Sequence, residues 1–105
     1  AGAAIYMELH NGGAVALAVV GARAHAAASA AIHGHSHAGG MMRMHPVPRL
    51  EIAPGATVIL QPGGYHLMVG GMDAVPEPGA VLPFCLRLED GAEQCAEARV
   101  RGIGE

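Results

Sequence analysis

The chain has no tryptophan, no lysine, one phenylalanine, two tyrosines and two cysteines among its 105 residues. A core so short of rings must be built from aliphatic side chains, and 21 alanines bring little area each, so backbone pairing and shape carry more of the stability. All six cations are arginine, scattered among nine carboxylates for a formal net charge of −3. No basic run exists, which argues against nucleic acid and against an anionic membrane surface as partners. No apolar stretch has the length of a membrane span, so no membrane insertion is expected. There is no segment with the charged start and apolar middle of a secretory signal; for an exported protein, residue 1 would lie near a processed start. The only serines, Ser29 and Ser36, lack a nucleophile elbow, and no Gly-rich phosphate loop follows a strand. No catalytic constellation emerges, and the chain is not expected to be an enzyme.

What is present suits one small domain over residues 1–105, burying roughly two-thirds of its unfolded surface. Sixteen glycines and seven prolines punctuate short apolar runs. Ala3–Asn11 alternates, with Ile5, Met7 and Leu9 on one face and Tyr6 and Glu8 on the other, and Asn11-Gly12-Gly13 closes it. Residues 14–32 are ambiguous, because their alanines favour helix while Gly21 and the absence of caps disfavour a long one. We read them as a loop to about Leu17 and then strands near Val19–Ala24 and Ala26–His33. Gly34–Gly40 reads as a loop and Met42–His45 as a short strand stopped by Pro46 and Pro48. Leu50–Ile52 and Thr57–Gln61 flank the turn at Ala53-Pro54-Gly55. Pro62-Gly63-Gly64 precedes a strand over Tyr65–Val69. Val75–Pro83 makes a long connection, and Val81–Leu88 and Glu93–Val100 form a last hairpin. Eight or so short strands with Gly/Pro turns imply an all-β sandwich or barrel, without internal repeats.

Seven histidines and six methionines are the chemically distinctive content. Ten residues separate His33 from Met44, twenty-one separate Met44 from His66, and one separates His66 from Met68, giving H-x10-M-x21-H-x-M. Two imidazoles and two thioethers form a soft, uncharged ligand set. Thioether sulfur selects monovalent copper and imidazole tolerates it, whereas calcium or magnesium would call for carboxylates and structural zinc for thiolates. His66 and Met68 lie two apart on a strand, so they project from one face about 6–7 Å apart along the backbone. Tyr65 and Leu67 then face the core. Taken singly, a His or Met on a strand is far more often packing or surface than ligand.

The segments Ala3–Asn11, His33–Val47 and Leu50–Met68 together resemble the periplasmic copper chaperones of the PCuAC type. The likeness covers nearly the whole chain. It is specific, since four ligands at fixed offsets and the word Pro62-Gly63-Gly64-Tyr65-His66-Leu67-Met68 must coincide. The resemblance implies a cupredoxin-like Greek-key β-sandwich, a monomer in the periplasm or another extracytoplasmic space, and one Cu(I) per chain on His33, Met44, His66 and Met68. It also implies delivery to the CuA centre in subunit II of cytochrome c oxidase. Two departures stand out. Gly34 follows His33 where an acidic residue is expected, with His35 and His37 after it. The chain stops at Gly102-Ile103-Gly104-Glu105 without the Met/His-rich tail some relatives carry. His35 and His37 could hold Cu(II) or Zn(II) at a second, weaker site, although solvated loop side chains are the preferred reading. Met72 could shield the metal or cover apolar surface; Met7 is assigned to the core, and His10 and His25 to structural roles.

Cys85 and Cys95 are not C-x-x-C, and neither is followed by the His or Met that a blue-copper loop requires. With Glu89-Asp90-Gly91 as a three-residue loop and Gly91 left-handed, Leu88 opposes Ala92 and Cys85 opposes Cys95. The expectation is a structural disulfide and an oxidising compartment. Three functions remain: a chaperone that delivers copper, a purely structural sandwich or passive copper buffer without a specific acceptor, and an electron-transfer cupredoxin, the last disfavoured by the missing Cys ligand.

Overall fold

The computed structural model describes residues 2–74 and 76–99, apart from the side chains of His37, Ala38 and Met42. Among them every regular element is a strand: β1 (Ala3–Ile5), β2 (Met7–His10), β3 (Leu17–Ala24), β4 (Ser29–Ala38), β5 (Met41–Pro46), β6 (Leu50–Ile52), β7 (Thr57–Leu60), β8 (His66–Gly70), β9 (Val81–Leu88) and β10 (Glu93–Arg99). One sheet runs β1-β8-β4-β5 and a second runs β10-β9-β3-β6, with β2 and β7 paired beside them. Val75, Val100 and the chain's closing Gly102–Glu105 lie outside the described residues.

Alternation decides which side chains enter the core. Ile5, Ile32, Leu67 and Val69 come from the first sheet. Val19, Leu50, Ile52, Leu82, Phe84, Leu86 and Leu88 come from the second. The first alternating segment is two strands rather than one. It changes partner at Tyr6, pairing with β8 before it and with β7 after it. Its periodicity survives the step: Ile5 is buried, Met7 and Leu9 pack against the core, and Tyr6 is exposed.

The alanine-rich stretch is extended, and strand starts at Leu17. β3 is bonded on both edges, to β9 and to β6, with a bulge between Val19 and Gly21. Two ladders and the burial of Ala18 and Val19 outweigh the helical preference of alanine. The chain reverses at His25 and Ala26, where Ala26 takes a φ of 57°.

A larger correction concerns residues 34–40. They are not a loop: β4 runs on to Ala38 and pairs with β5 from His33↔Pro46 to Ala38↔Met41. Only Gly39 and Gly40 turn, with φ of 60° and 79°. Two successive left-handed residues are the hairpin turn whose twist matches the flanking strands, and glycine adopts it without steric strain. Met72 is buried within the hydrophobic core cluster.

The last hairpin follows the expected register. Leu88 N–H donates to Ala92 O, Gly91 has a φ of 93°, and Cys95 lies opposite Cys85, to which it is disulfide-bonded.

Candidate metal centre

The pleat of the first sheet sets one row of side chains against the core and the next outward. His33 is opposite His66 across β4 and β8, His35 is opposite Met44 across β4 and β5, and Met68 is opposite Ala31 and Ala4. Cross-strand partners share a face, and so do residues two apart on one strand. His33, His35, Met44, His66 and Met68 therefore share the outer face, while Ile32, Leu67 and Val69 point into the core from the same strands.

His66 is at the centre. It is buried, and its Nδ1 lies 3.3 Å from the Gly64 carbonyl oxygen. That contact holds the ring by one nitrogen and leaves Nε2 outward, 3.1 Å from Met44 Sδ. The His33 ring stands 6.0 Å from His66 by centroids, edge toward face, and the His35 ring stands 5.1 Å away. Nδ1 of His33 and Nδ1 of His35 are buried without a hydrogen-bond partner. A buried polar atom with no partner is uncommon in a folded protein. Met44 is 51% exposed, so one of the four residues lies at the solvent boundary. Met68 is half-buried two residues along β8 from His66. Three of the four expected residues thus converge, and the fourth occupies the same face of the adjoining strand position.

The orphaned imidazole nitrogens and the Sδ–Nε2 approach fit a soft cation. Among the described residues, the ion pairs lie elsewhere. Arg23 bonds Glu93 at 2.9 and 3.0 Å, and Arg49 reaches Glu89 at 2.7 Å and Glu51 at 3.0 Å, all on or beside the second sheet. The Arg23 guanidinium holds the Glu93 carboxyl below the usual carboxylate range. Among the described residues, the one His, Cys or carboxylate trio whose ligand atoms close within 4.8 Å is Cys85, Glu93 and Cys95, and its sulfurs are bonded to each other.

A family model described as "Putative lipoprotein LpqE-like" matches residues 1–100. The chain belongs to this LpqE-like family. "Putative lipoprotein Lxx21020" of Leifsonia xyli subsp. xyli is 33% identical over 90 residues, 85% of this chain and 54% of that protein. The chain therefore spans about half the length of that curated relative. Among solved structures, CuI-DR1885 from Deinococcus radiodurans is 32% identical with a TM-score of 0.75, over 99% of this chain and 70% of that one. The apo PCuAC domain from PmoF1 superposes with a TM-score of 0.76 at 23% identity, over 96% of this chain and 80% of that one. The copper-bound PCuAC domain from PmoF2 gives 0.74 at 19% identity, over 96% and 79%. The fold is the cupredoxin-like Greek-key β-sandwich, and the resemblance to PCuAC-type proteins is borne out.

Within this LpqE-like chain, the departure after His33 acquires a physical setting. A Cβ on Gly34 would lie 3.3 Å from the Tyr65 ring and from Val47 Cγ2, so any side chain there crowds both. Tyr65 is not a core residue; it is exposed and lies over Gly34. His35 belongs with the outer cluster rather than with solvated loop side chains. The signal for it was present in the period-two spacing of His33 and His35, which a Gly/His-rich loop reading obscures. His37 pairs with Met42 in backbone register nearer the turn, and its side chain lies outside the described residues. His10 Nδ1 lies 2.9 Å from Thr57 Oγ1, as a structural histidine would.

Proposed function

We propose that this domain is an extracytoplasmic chaperone that carries one Cu(I) on His33, Met44, His66 and Met68. It passes the ion to the CuA centre in subunit II of cytochrome c oxidase. The approach of His66 Nε2 to Met44 Sδ at 3.1 Å carries the reading, because an imidazole nitrogen and a thioether sulfur this close together supply half of a Cu(I) ligand set. Copper-bound solved relatives add support. The extracytoplasmic setting is supported by the family's lipoprotein description and by a disulfide that persists in oxidising compartments.

The ligands explain why delivery is favoured over storage. A neutral set without thiolate binds Cu(I) less tightly than cysteines do, and the exposed Met44 lets an incoming ligand enter before the outgoing one leaves. The cysteine thiolates of CuA would then take copper downhill by stepwise exchange. With both cysteines of this chain tied in a disulfide, no thiolate is available for a blue-copper centre. The test mixes the Cu(I)-loaded domain with the reduced apo acceptor domain in the presence of a Cu(I) chelator. Chaperoning requires transfer faster than the chelator-limited release of free copper; transfer no faster than release leaves a buffer without an acceptor.

A further inference from the structure

The four-residue set leaves His35 unused. That side chain faces the same way as His33 and stands opposite Met44. Its ring is nearer to His66 than the His33 ring is, at 5.1 against 6.0 Å between centroids. Its Nδ1 and that of His33 are both buried and unpartnered. A hydrogen-bonded structural histidine such as His10 has no such deficit. Three imidazoles on one face, two of them with an unsatisfied nitrogen, offer more nitrogen than a Cu(I) site of two histidines and two methionines needs.

Cupric copper prefers nitrogen and oxygen ligands in tetragonal arrangements, whereas thioether sulfur favours the cuprous ion. We propose that His33, His35 and His66 form a second ligand set, overlapping the first, that binds Cu(II). The inference rests on the proposed Cu(I) site for two of its three ligands. Sharing His33 and His66 makes the two oxidation states mutually exclusive occupants. Met44 and Met68 complete the site for Cu(I), and His35 completes it for Cu(II). The ligand atoms of the three histidines do not all lie within 4.8 Å of one another. Binding therefore draws the rings together by side-chain rotation, from strand positions that are already adjacent.

The experiment loads the whole chain with Cu(II), reads electron paramagnetic resonance for coupled nitrogens, and measures affinity against glycine as competitor. Cu(I) affinity is measured anaerobically with a chromophoric chelator. Wild type should bind Cu(II) with three coupled nitrogens. His35→Gln should lose one coupling and about tenfold or more in Cu(II) affinity while Cu(I) affinity stays within about threefold, the size expected for a lost ligand against a spectator. Met44→Ala should do the reverse. An unchanged Cu(II) spectrum and affinity in His35→Gln overturns the proposal. So does loss of the signal in His37→Gln instead, which would move Cu(II) to the hairpin tip, and so does equal loss of both oxidation states in His35→Gln. Absence of Cu(I) binding in wild type alongside a His35-dependent Cu(II) signal would defeat the chaperone reading and sustain this one.

Discussion

Asn11 ends the first alternating segment, where an Asn-Gly-Gly word reads as punctuation, yet its side chain is buried. It stays there because the amide is fully engaged. Nδ2 donates to Ile52 O at 3.0 Å and to Val15 O at 2.8 Å, and Oδ1 accepts from Gly13 N–H at 3.0 Å. Its own backbone pairs with Ala56 and Gly55. Asn11→Ala would strand two carbonyls and one N–H, and should lower the unfolding free energy by about 2–3 kcal/mol in a urea titration. A change near zero would mean that water replaces the amide. At the metal face the residue-scale expectation is about selectivity. Met44→Ala removes a soft ligand and should weaken Cu(I) by about tenfold or more while altering Zn(II) much less, measured by chelator competition. Equal losses for the two metals would count against a copper-selective site.

The element that matters most is the hairpin of β4 and β5. It supplies His33, His35 and Met44, and its register sets how far Met44 sits from His66. Glycine and histidine are weak strand formers, so local composition points to a loop, and it is the pairing with β5, continuing a strand that β8 holds as far as His33, that makes the segment extended. The turn is correspondingly sensitive. Gly40→Val puts a β-branched side chain at a φ of 79°, which should cost about 1–3 kcal/mol. A lowered midpoint in thermal unfolding should be accompanied by weaker Cu(I) binding, because β5 alone positions Met44. Stability lost with affinity intact would show that the strand finds its register without the turn.

Across the whole molecule the two sheets divide the work. The first presents imidazoles and thioethers outward; the second carries the disulfide and the ion pairs. Replacing both cysteines by alanine should therefore lower stability by about 2–3 kcal/mol in urea, the entropy released by reopening a short loop. It should leave the Cu(I) affinity of the folded protein unchanged. A parallel fall in affinity would reveal that the second sheet shapes the metal face through the core.

The period-two alternation, the glycine and proline punctuation and the cysteine register were enough to imply an all-β sandwich or barrel with one disulfide. The ligand types of two histidines and two methionines pointed to soft-metal chemistry, and their spacing carried weight through the resemblance to the PCuAC type. These are local or pairwise properties, written in residue type and separation. The sheet change at Tyr6, the extension of the alanine-rich segment, the burial of Asn11 and the place of His35 were decided by tertiary structure. Each depends on which distant segment lies alongside, and the hydrogen bonds made with it override the preferences of the residues themselves.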